Sequence, residues 1–351
     1  MKFGSVAITQ AAGLIAAHTL RADDVIVRKG RPIRGEDARR LAEAGLDSVV
    51  AVTLETGDVG EDEAAARLAG RVAGAGLSTG PAFTGRCNLQ AEVAGILMID
   101  RSVIDAVNAV DEAITLATLP PFRPVSPGEM VATVKIIPYA VSGSALDRAC
   151  GIATPASLTV MPYRRFRVGV VSTLLPGLKE TTVVKTLRNL ERRLGPTGAG
   201  IASDLRVSHE ANAVATAIRK AIDRDGCDLV VVFGASAIAD RRDVIPAGIE
   251  AAGGEVEHFG MPVDPGNLLL VGRRGEVPVI GAPGCARSPA ENGFDWVLHR
   301  LLAGLVVSRA DIVGLGVGGL LMEIVSRPQP RSGRHSTLEE GTSEESTAED
   351  A

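Results

Sequence analysis

At 351 residues the chain is long enough for two domains with substantial cores. Aromatic residues make up only 3% of it, so its cores are to be built from the small aliphatics common in α/β sheets. The formal net charge is −5, but residues 331–351 hold two arginines against six acidic residues, and the near-neutral remainder argues against a nucleic-acid groove. The cysteines Cys87, Cys150, Cys227 and Cys285 form no CxxC pair, which leaves no zinc knuckle or dithiol motif and fits reduced thiols in a cytoplasmic protein. The apolar stretch 12–17 is short, lies between Gln10 and His18 and lacks a small-x-small cleavage signal, so no secretory leader is expected. No run approaches the ~20 apolar residues of a membrane helix.

In chain order, residues 1–160 read as a mixed α+β region, divisible into two small subdomains. The pattern predicts a helix over 10–20, a turn at Lys29-Gly30-Arg31-Pro32, a helix over 35–45 and a strand over 48–54. An amphipathic helix with alanines on one face follows over 61–72, then a loop over 74–83. A β-rich stretch has its apolar parts at 95–99, 108–119 and 130–137. Asn108, Asp111, Glu112, Thr115 and Lys135 stand out there as polar groups in apolar surroundings. Lys135 reads as a strand residue snorkelling to solvent, or as a cation closing on a ligand phosphate, across a dimer in one version.

A boundary is expected around 157–166, at Pro162-Tyr163-Arg164-Arg165. Beyond it strands at 168–172, 200–207, 229–233 and 255–260 alternate with helices at 180–194, 210–223, 243–252 and 289–303. That alternation predicts an α/β domain over 166–326, a parallel sheet covered by helices, with ligands beyond the strand C-termini. The glycine run 314–319 reads as close packing or a turn more readily than as a phosphate loop, because no strong helical pattern follows it. The Ser-, Thr- and Glu-rich tail over 331–351 is expected to be disordered.

Three tight turns follow apolar strands in this domain. The run 228–233 leads into Gly234-Ala235-Ser236-Ala237 and then Asp240-Arg241-Arg242-Asp243. Met261-Pro262-Val263-Asp264-Pro265-Gly266-Asn267 precedes another apolar run. Gly281-Ala282-Pro283-Gly284-Cys285-Ala286-Arg287-Ser288 joins a strand to a helix. In this order the turns resemble the molybdopterin-binding domain shared by molybdopterin molybdotransferase, molybdopterin adenylyltransferase and gephyrin. Arg242-Asp243-Val244-Ile245-Pro246 is similar to the adenylyltransferase signature Arg-Asp-Val-Thr-Pro, Pro265-Gly266-Asn267 to a Pro-Gly-Lys turn and Gly281-Ala282-Pro283-Gly284 to a Gly-Leu-Pro-Gly turn. The resemblance covers roughly residues 167–305. The order of elements before it also resembles the small domain preceding this one in molybdotransferases. The whole chain is similar to a bacterial group of molybdopterin-binding proteins, some of them fused to a nucleotidyltransferase.

The resemblance implies a molybdopterin-binding-type sheet domain and a role in molybdenum cofactor biosynthesis. Its ligand would be molybdopterin or a nucleotide derivative, with Mg²⁺ and molybdate as further candidates, and a homo-oligomer is implied. Four departures bear on this. The family's double glycine is Gly234-Ala235, and its Thr-Gly-Asp-Glu turn is Thr173-Leu174-Leu175-Pro176-Gly177. Asp264 and Asn267 stand where molybdotransferases carry lysines, and Cys285 stands where they have Asn. Lost cations favour pterin binding over molybdate insertion.

The chemistry needs backbone N–H groups for a phosphate, which Gly234, Ala235, Ser236 and Ala237 can offer, Ser236 adding a hydroxyl. Pro265, Gly266 and Asn267 supply a second contact loop, and Gly281, Pro283, Gly284, Cys285 and Ser288 a third, with Ser288 also a candidate helix N-cap. Asp240 and Asp243 are the candidate catalytic carboxylates and the candidate Mg²⁺ ligands. Asp at a helix start is equally a cap. Cys285 is more simply a small buried cysteine than a redox group. His209 and His258 lack a partner at ligand spacing and read as surface or satisfied core histidines.

Three functions compete. The chain acts as a transferase on molybdopterin or its nucleotide derivative, in which case Asp243→Ala abolishes turnover while leaving folding intact. Alternatively it is a non-catalytic carrier serving a separate nucleotidyltransferase or molybdoenzyme. A third reading, a nucleotide or pyrophosphate hydrolase, rests on fold analogy alone.

Overall fold

The computed structural model describes residues 1–22 and 24–321. The expected acidic tail and the end of the expected C-terminal domain lie outside them. Among the described residues no helix is long and apolar enough to cross a membrane.

The alanine-rich run at 11–17 is not helical. A 3₁₀ turn at Ile8–Gln10 is followed by Gly13 at φ +87 and a short strand Ile15–Ala16. Tertiary pairing overrides propensity here: Ile15 and Ala16 align with Val52 and Ala51 of the strand Ser48–Thr53, and Ala16 N–H donates to Arg31 O at 3.0 Å. Lys2–Ala7 flanks the same strand, and the helix Gly35–Glu43 packs Ala38 and Leu41 onto this small core.

The helix Glu61–Val72 falls as expected, with Ala64, Ala65, Leu68, Ala69 and Val72 fully buried. These small side chains let it lie close on a four-stranded antiparallel sheet. The loop expected at 74–83 contains an edge strand of that sheet, Leu77–Thr79. Within the apolar part expected at 108–119, the helix Arg101–Asn108 ends and the strand Ile114–Thr118 follows. Asn108 clamps that junction, donating to Leu116 O at 2.9 Å and accepting from Leu116 N–H at 2.7 Å. Lys135 donates to Thr84 O and lies 3.9 Å from Glu61, so its cation is engaged inside this region.

The segment expected as a boundary is partly a strand, Leu158–Pro162, paired with Gly95–Ile99. Gly95–Ile99 alternates in the manner of a strand buried on both faces: Leu97 joins the core of the middle region and Ile96 that of the C-terminal sheet.

That sheet has six strands: β1 Arg167–Leu174, β2 Gly200–Ser208, β3 Leu229–Phe233, β4 Glu255–Phe259, β5 Leu270–Arg274 and β6 Val277–Ala282. Their order is β2-β1-β3-β6-β5-β4. The β2-β1-β3-β6 ladder is parallel, and β5 runs antiparallel to both neighbours, which leaves β4 pointing the same way as β6. The continuous apolar runs have one reason: both faces are covered. Val168, Val170, Val231 and Phe233 meet α1 (Glu180–Leu194) and α4 (Gly293–Leu302), whereas Val171, Val230 and Val232 meet α2 (Ala211–Arg219) and α3 (Val244–Ala251). The chain is therefore α/β, with a mostly parallel sheet and helices on both sides.

Candidate functional site

β1, β2, β3, β4 and β6 all end at one edge of the sheet, where Phe233 pairs with Ala282, Leu270 with Gly281 and Phe259 with Leu270. The three turns therefore emerge side by side, at the edge where open parallel sheets bind ligands.

Named bonds chain them together. Arg287 of the third turn donates to Gly234 O of the first at 2.9 Å and to Thr186 on α1 at 2.9 Å, with its guanidinium 5.3 Å from the Phe233 ring centroid. Burial pushes its pKa down. Gly293 N–H donates to Pro265 O of the second turn at 2.9 Å, while the Asn292 amide donates to Cys285 O of the third at 3.3 Å. From α1, Asn189 donates to Arg287 O at 2.6 Å, and Arg193 to Ala286 O at 3.0 Å and Ser288 O at 2.7 Å.

In the first turn Gly234 allows the backbone to fold back: a Cβ there would sit 2.5 Å from Ser236 O and 2.8 Å from Ile245 Cδ1. Ala235 N–H donates to Thr173 Oγ1 at 2.7 Å, but among the described residues the N–H groups of Ser236 and Ala237 donate to no protein atom. Both residues are exposed. Thr173 Oγ1 lies 2.8 Å from His209 Nδ1, and His209 Nε2 lies 3.0 Å from Ser236 Oγ. When the Thr173 proton is directed to Nδ1, the ring proton on Nε2 is given to Ser236, whose own hydroxyl proton is left to donate outward. His209, read from the sequence as a bystander, holds that hydroxyl. Its partners are 36 and 27 residues away and meet it only because three parallel strands end together.

The two aspartates have local work. Asp243 is the N-cap of α3, accepting from Val244 N–H at 2.7 Å and, through its other oxygen, from Ala239 N–H at 3.1 Å. Asp240 is exposed and held well below the usual carboxylate range, at about 2, by the Arg242 side chain and backbone N–H. Among the described residues no group of three or more His, Cys, Asp or Glu side chains is placed to hold a metal ion. With both oxygens of Asp243 capped and Asp240 paired to Arg242, these two do not fit the Mg²⁺ pair expected from the sequence. Asp243→Ala is expected to cost about 0.5–2 kcal/mol in a thermal or denaturant melt, against the sequence expectation of intact folding, and Asp243→Asn much less. Equal stability of both variants and the parent would remove the capping role.

The second turn contains a cis Asp264–Pro265 peptide, with Gly266 at φ +145. The glycine run 314–319 backs it: Asp264 N–H donates to Gly319 O at 2.8 Å, and a Cβ on Gly319 would lie 2.2 Å from Pro262 O. Close packing is thus the reason for that glycine. In the third turn Gly281 and Pro283 are buried, Gly281 inside β6 where a Cβ would meet Ile238 at 2.7 Å, so neither presents an open surface. Gly284, Ser288 and Asn267 are exposed, while Pro265 and Cys285 are half-buried. Ser288 does not cap the last long helix. α4 begins later than expected, with Asn292 as N-cap in a capping box with Asp295. A hollow of about 350 Å³ beside Arg287 is lined by Thr181, Thr182, Lys185 and Thr186 at the start of α1. These hydroxyls and this cation lie in an ordinary amphipathic helix pattern, which carries no signal of a site in the sequence.

No protein-family model matches the chain, and no curated protein does. Among solved structures it is similar to the molybdopterin biosynthesis enzyme MoaB of Thermus thermophilus, at 20% identity over 40% of this chain and 97% of that one, with a TM-score of 0.27. It is also similar to the molybdopterin biosynthesis MoeA protein of Pyrococcus horikoshii, at 14% identity over 86% of this chain and 75% of that one, with a TM-score of 0.30.

Proposed function

We propose that the sheet edge binds molybdopterin or a nucleotide derivative of it, and that the chain serves molybdenum cofactor biosynthesis in the cytoplasm. The observation that carries this reading is the convergence of the three turns that resemble the family's motifs, tied together by Arg287, Asn292 and Gly293. The ligand's phosphate would take the Ser236 and Ala237 N–H groups and the Ser236 hydroxyl, with Lys185 and Arg287 supplying positive charge from the adjoining hollow. The pterin edge would find polar partners on the exposed second and third turns.

Between acting on the pterin and handing it over, the placement of the acids favours hand-over. Asp243 is held by the α3 cap and Asp240 by Arg242, so among the described residues neither carboxylate is free to act as a general base beside the Ser236 loop. A carrier of this kind would pass the pterin to a nucleotidyltransferase or a molybdoenzyme. Mass analysis of molybdopterin incubated with the purified chain separates the two: recovery unchanged supports the carrier, and product formed by the chain alone assigns it a transferase step.

His209→Ala is expected to weaken molybdopterin binding about tenfold, equivalent to about 1.4 kcal/mol, by freeing the Ser236 hydroxyl from its orientation. Calorimetric titration of the variant checks this, and unchanged affinity would detach His209 from the site.

A further inference from the structure

A second groove, of about 650 Å³, lies between the 120–124 loop and the helices α4 and α5 (Arg309–Val313). Its walls include Pro121, Phe122, Trp296, Leu315 and Val317, and Arg300 of α4 lies in it. Arg300 is 8% exposed, with its guanidinium 3.9 Å from the centroid of the Phe122 ring. Phe122 is held under it at φ +61, a conformation L residues other than Asn and Asp seldom adopt.

What sets this arginine apart is that, among the described residues, it donates no hydrogen bond to a protein oxygen. Arg193 and Arg287, also largely buried, each donate to several protein oxygens. Among the described residues Arg300 Nε is buried without a hydrogen-bond partner, and its terminal nitrogens donate to no protein group and form no salt bridge. The acids nearby accept their hydrogen bonds from other groups, and the charge of Asp311 reaches Arg300 only through space, against the burial that lowers its pKa. Asp311 accepts from the Ser308 N–H at 2.8 Å and hydroxyl at 2.6 Å, and Glu291 accepts from Trp296 Nε1 at 3.0 Å. A guanidinium stripped of most of its water, stacked on a ring and reached by the charge of Asp311 without a hydrogen bond from it is unfavourable unless something supplies the missing oxygens.

We propose that this groove binds a small organic oxyanion, a carboxylate or phosphate on a flat apolar body, with Arg300 clamping the charge and Phe122 and Trp296 flanking the body. Arginine suits the role because its fork meets both oxygens of such a group. The site is separate from the sheet edge, since none of the three turns contributes a residue from 234–243, 261–267 or 281–288 to its lining.

Trp296 is the only tryptophan in the chain and so reports on the groove directly. The full chain would be titrated with phenyl phosphate, benzoate and the neutral control benzyl alcohol while its tryptophan fluorescence is followed. A saturable response to either anion, absent with benzyl alcohol, is expected, and the anion that binds tighter identifies the head group. Arg300→Met should weaken it at least tenfold. Val317→Glu, at a fully exposed position on the groove wall, puts a repelling charge there without touching the core and should weaken it as well, so the test survives if Arg300→Met fails to fold. No saturable response in the parent, equal binding of benzyl alcohol, or unchanged affinity in Val317→Glu would overturn the proposal.

Discussion

Arg193→Met is expected to lower the stability of the chain by about 3–5 kcal/mol, the range for leaving one member of a buried ion pair alone. The Arg193 side chain is 7% exposed and that of Asp295 11%, with Nε and Oδ1 2.5 Å apart. The same guanidinium donates to Ala286 O, Ser288 O and Ala290 O and lies 5.8 Å from the Phe294 ring centroid. Methionine fills the volume but leaves a buried carboxylate without its cation and takes the Arg193 donor from Ala286 O and Ser288 O, while Ala290 O keeps the Asn292 amide at 3.0 Å. Asp295 also accepts from Asn292 N–H at 2.9 Å, so the fault reaches the first turn of α4 and, through Asn292, the third turn of the site. Denaturant melts provide the check. Adding Asp295→Asn should recover part of the loss, because the amide still accepts from Asn292 without a charge to strand. A loss under about 1 kcal/mol would mean that water reaches the pair and that α1 does not brace the loop.

Gly266→Ala is expected to destabilise by about 3 kcal/mol, combining an unfavourable backbone conformation with an overpacked contact. At φ +145 an L residue is strained, and the new Cβ would sit 3.0 Å from both Cα and N of Gly293 and 3.2 Å from Val263 O. All of these are main-chain atoms that cannot rotate away. The second turn rests on the start of α4 at this point, through the Gly293 N–H to Pro265 O bond, so any relief moves the turn off the sheet edge. Thermal unfolding should show a fall of about 2–4 °C per kcal/mol for a unit of this size, and ligand binding should weaken in parallel. A variant as stable as the parent would show that the turn is free to shift.

The sheet domain was legible in the sequence because its strands are buried on both faces and read as unbroken apolar runs, such as Leu229–Phe233, between amphipathic helices. The region before it was less so. The run at 11–17 has helical composition, yet hydrogen bonds from Ala16 N–H to Arg31 O and from Gly13 N–H to Ile33 O hold it as turn and strand, and no local pattern announces those partners. The three turns were visible because glycine and proline punctuate them. Their bracing was not. Arg193, Arg287 and Asn292 act across 53 to 102 residues or through backbone acceptors, which leaves no spacing to read. His209 is the sharpest case, since a search for a ligand partner within a helix turn or strand repeat passes over Thr173 and Ser236. Asp243 carried two signals, a family position and a helix start, and the local bonds show the cap that the second one offered.

On the proposed function, molybdopterin or its nucleotide derivative sits at the sheet edge on the Ser236 loop. The most direct test is a calorimetric titration of the full chain with molybdopterin and with its adenylated form, in parent protein and in Ser236→Ala. Saturable one-to-one binding of at least one of the two is expected, weakened about tenfold by the loss of the hydroxyl. Binding of neither, or binding that Ser236→Ala leaves unchanged, would contradict it.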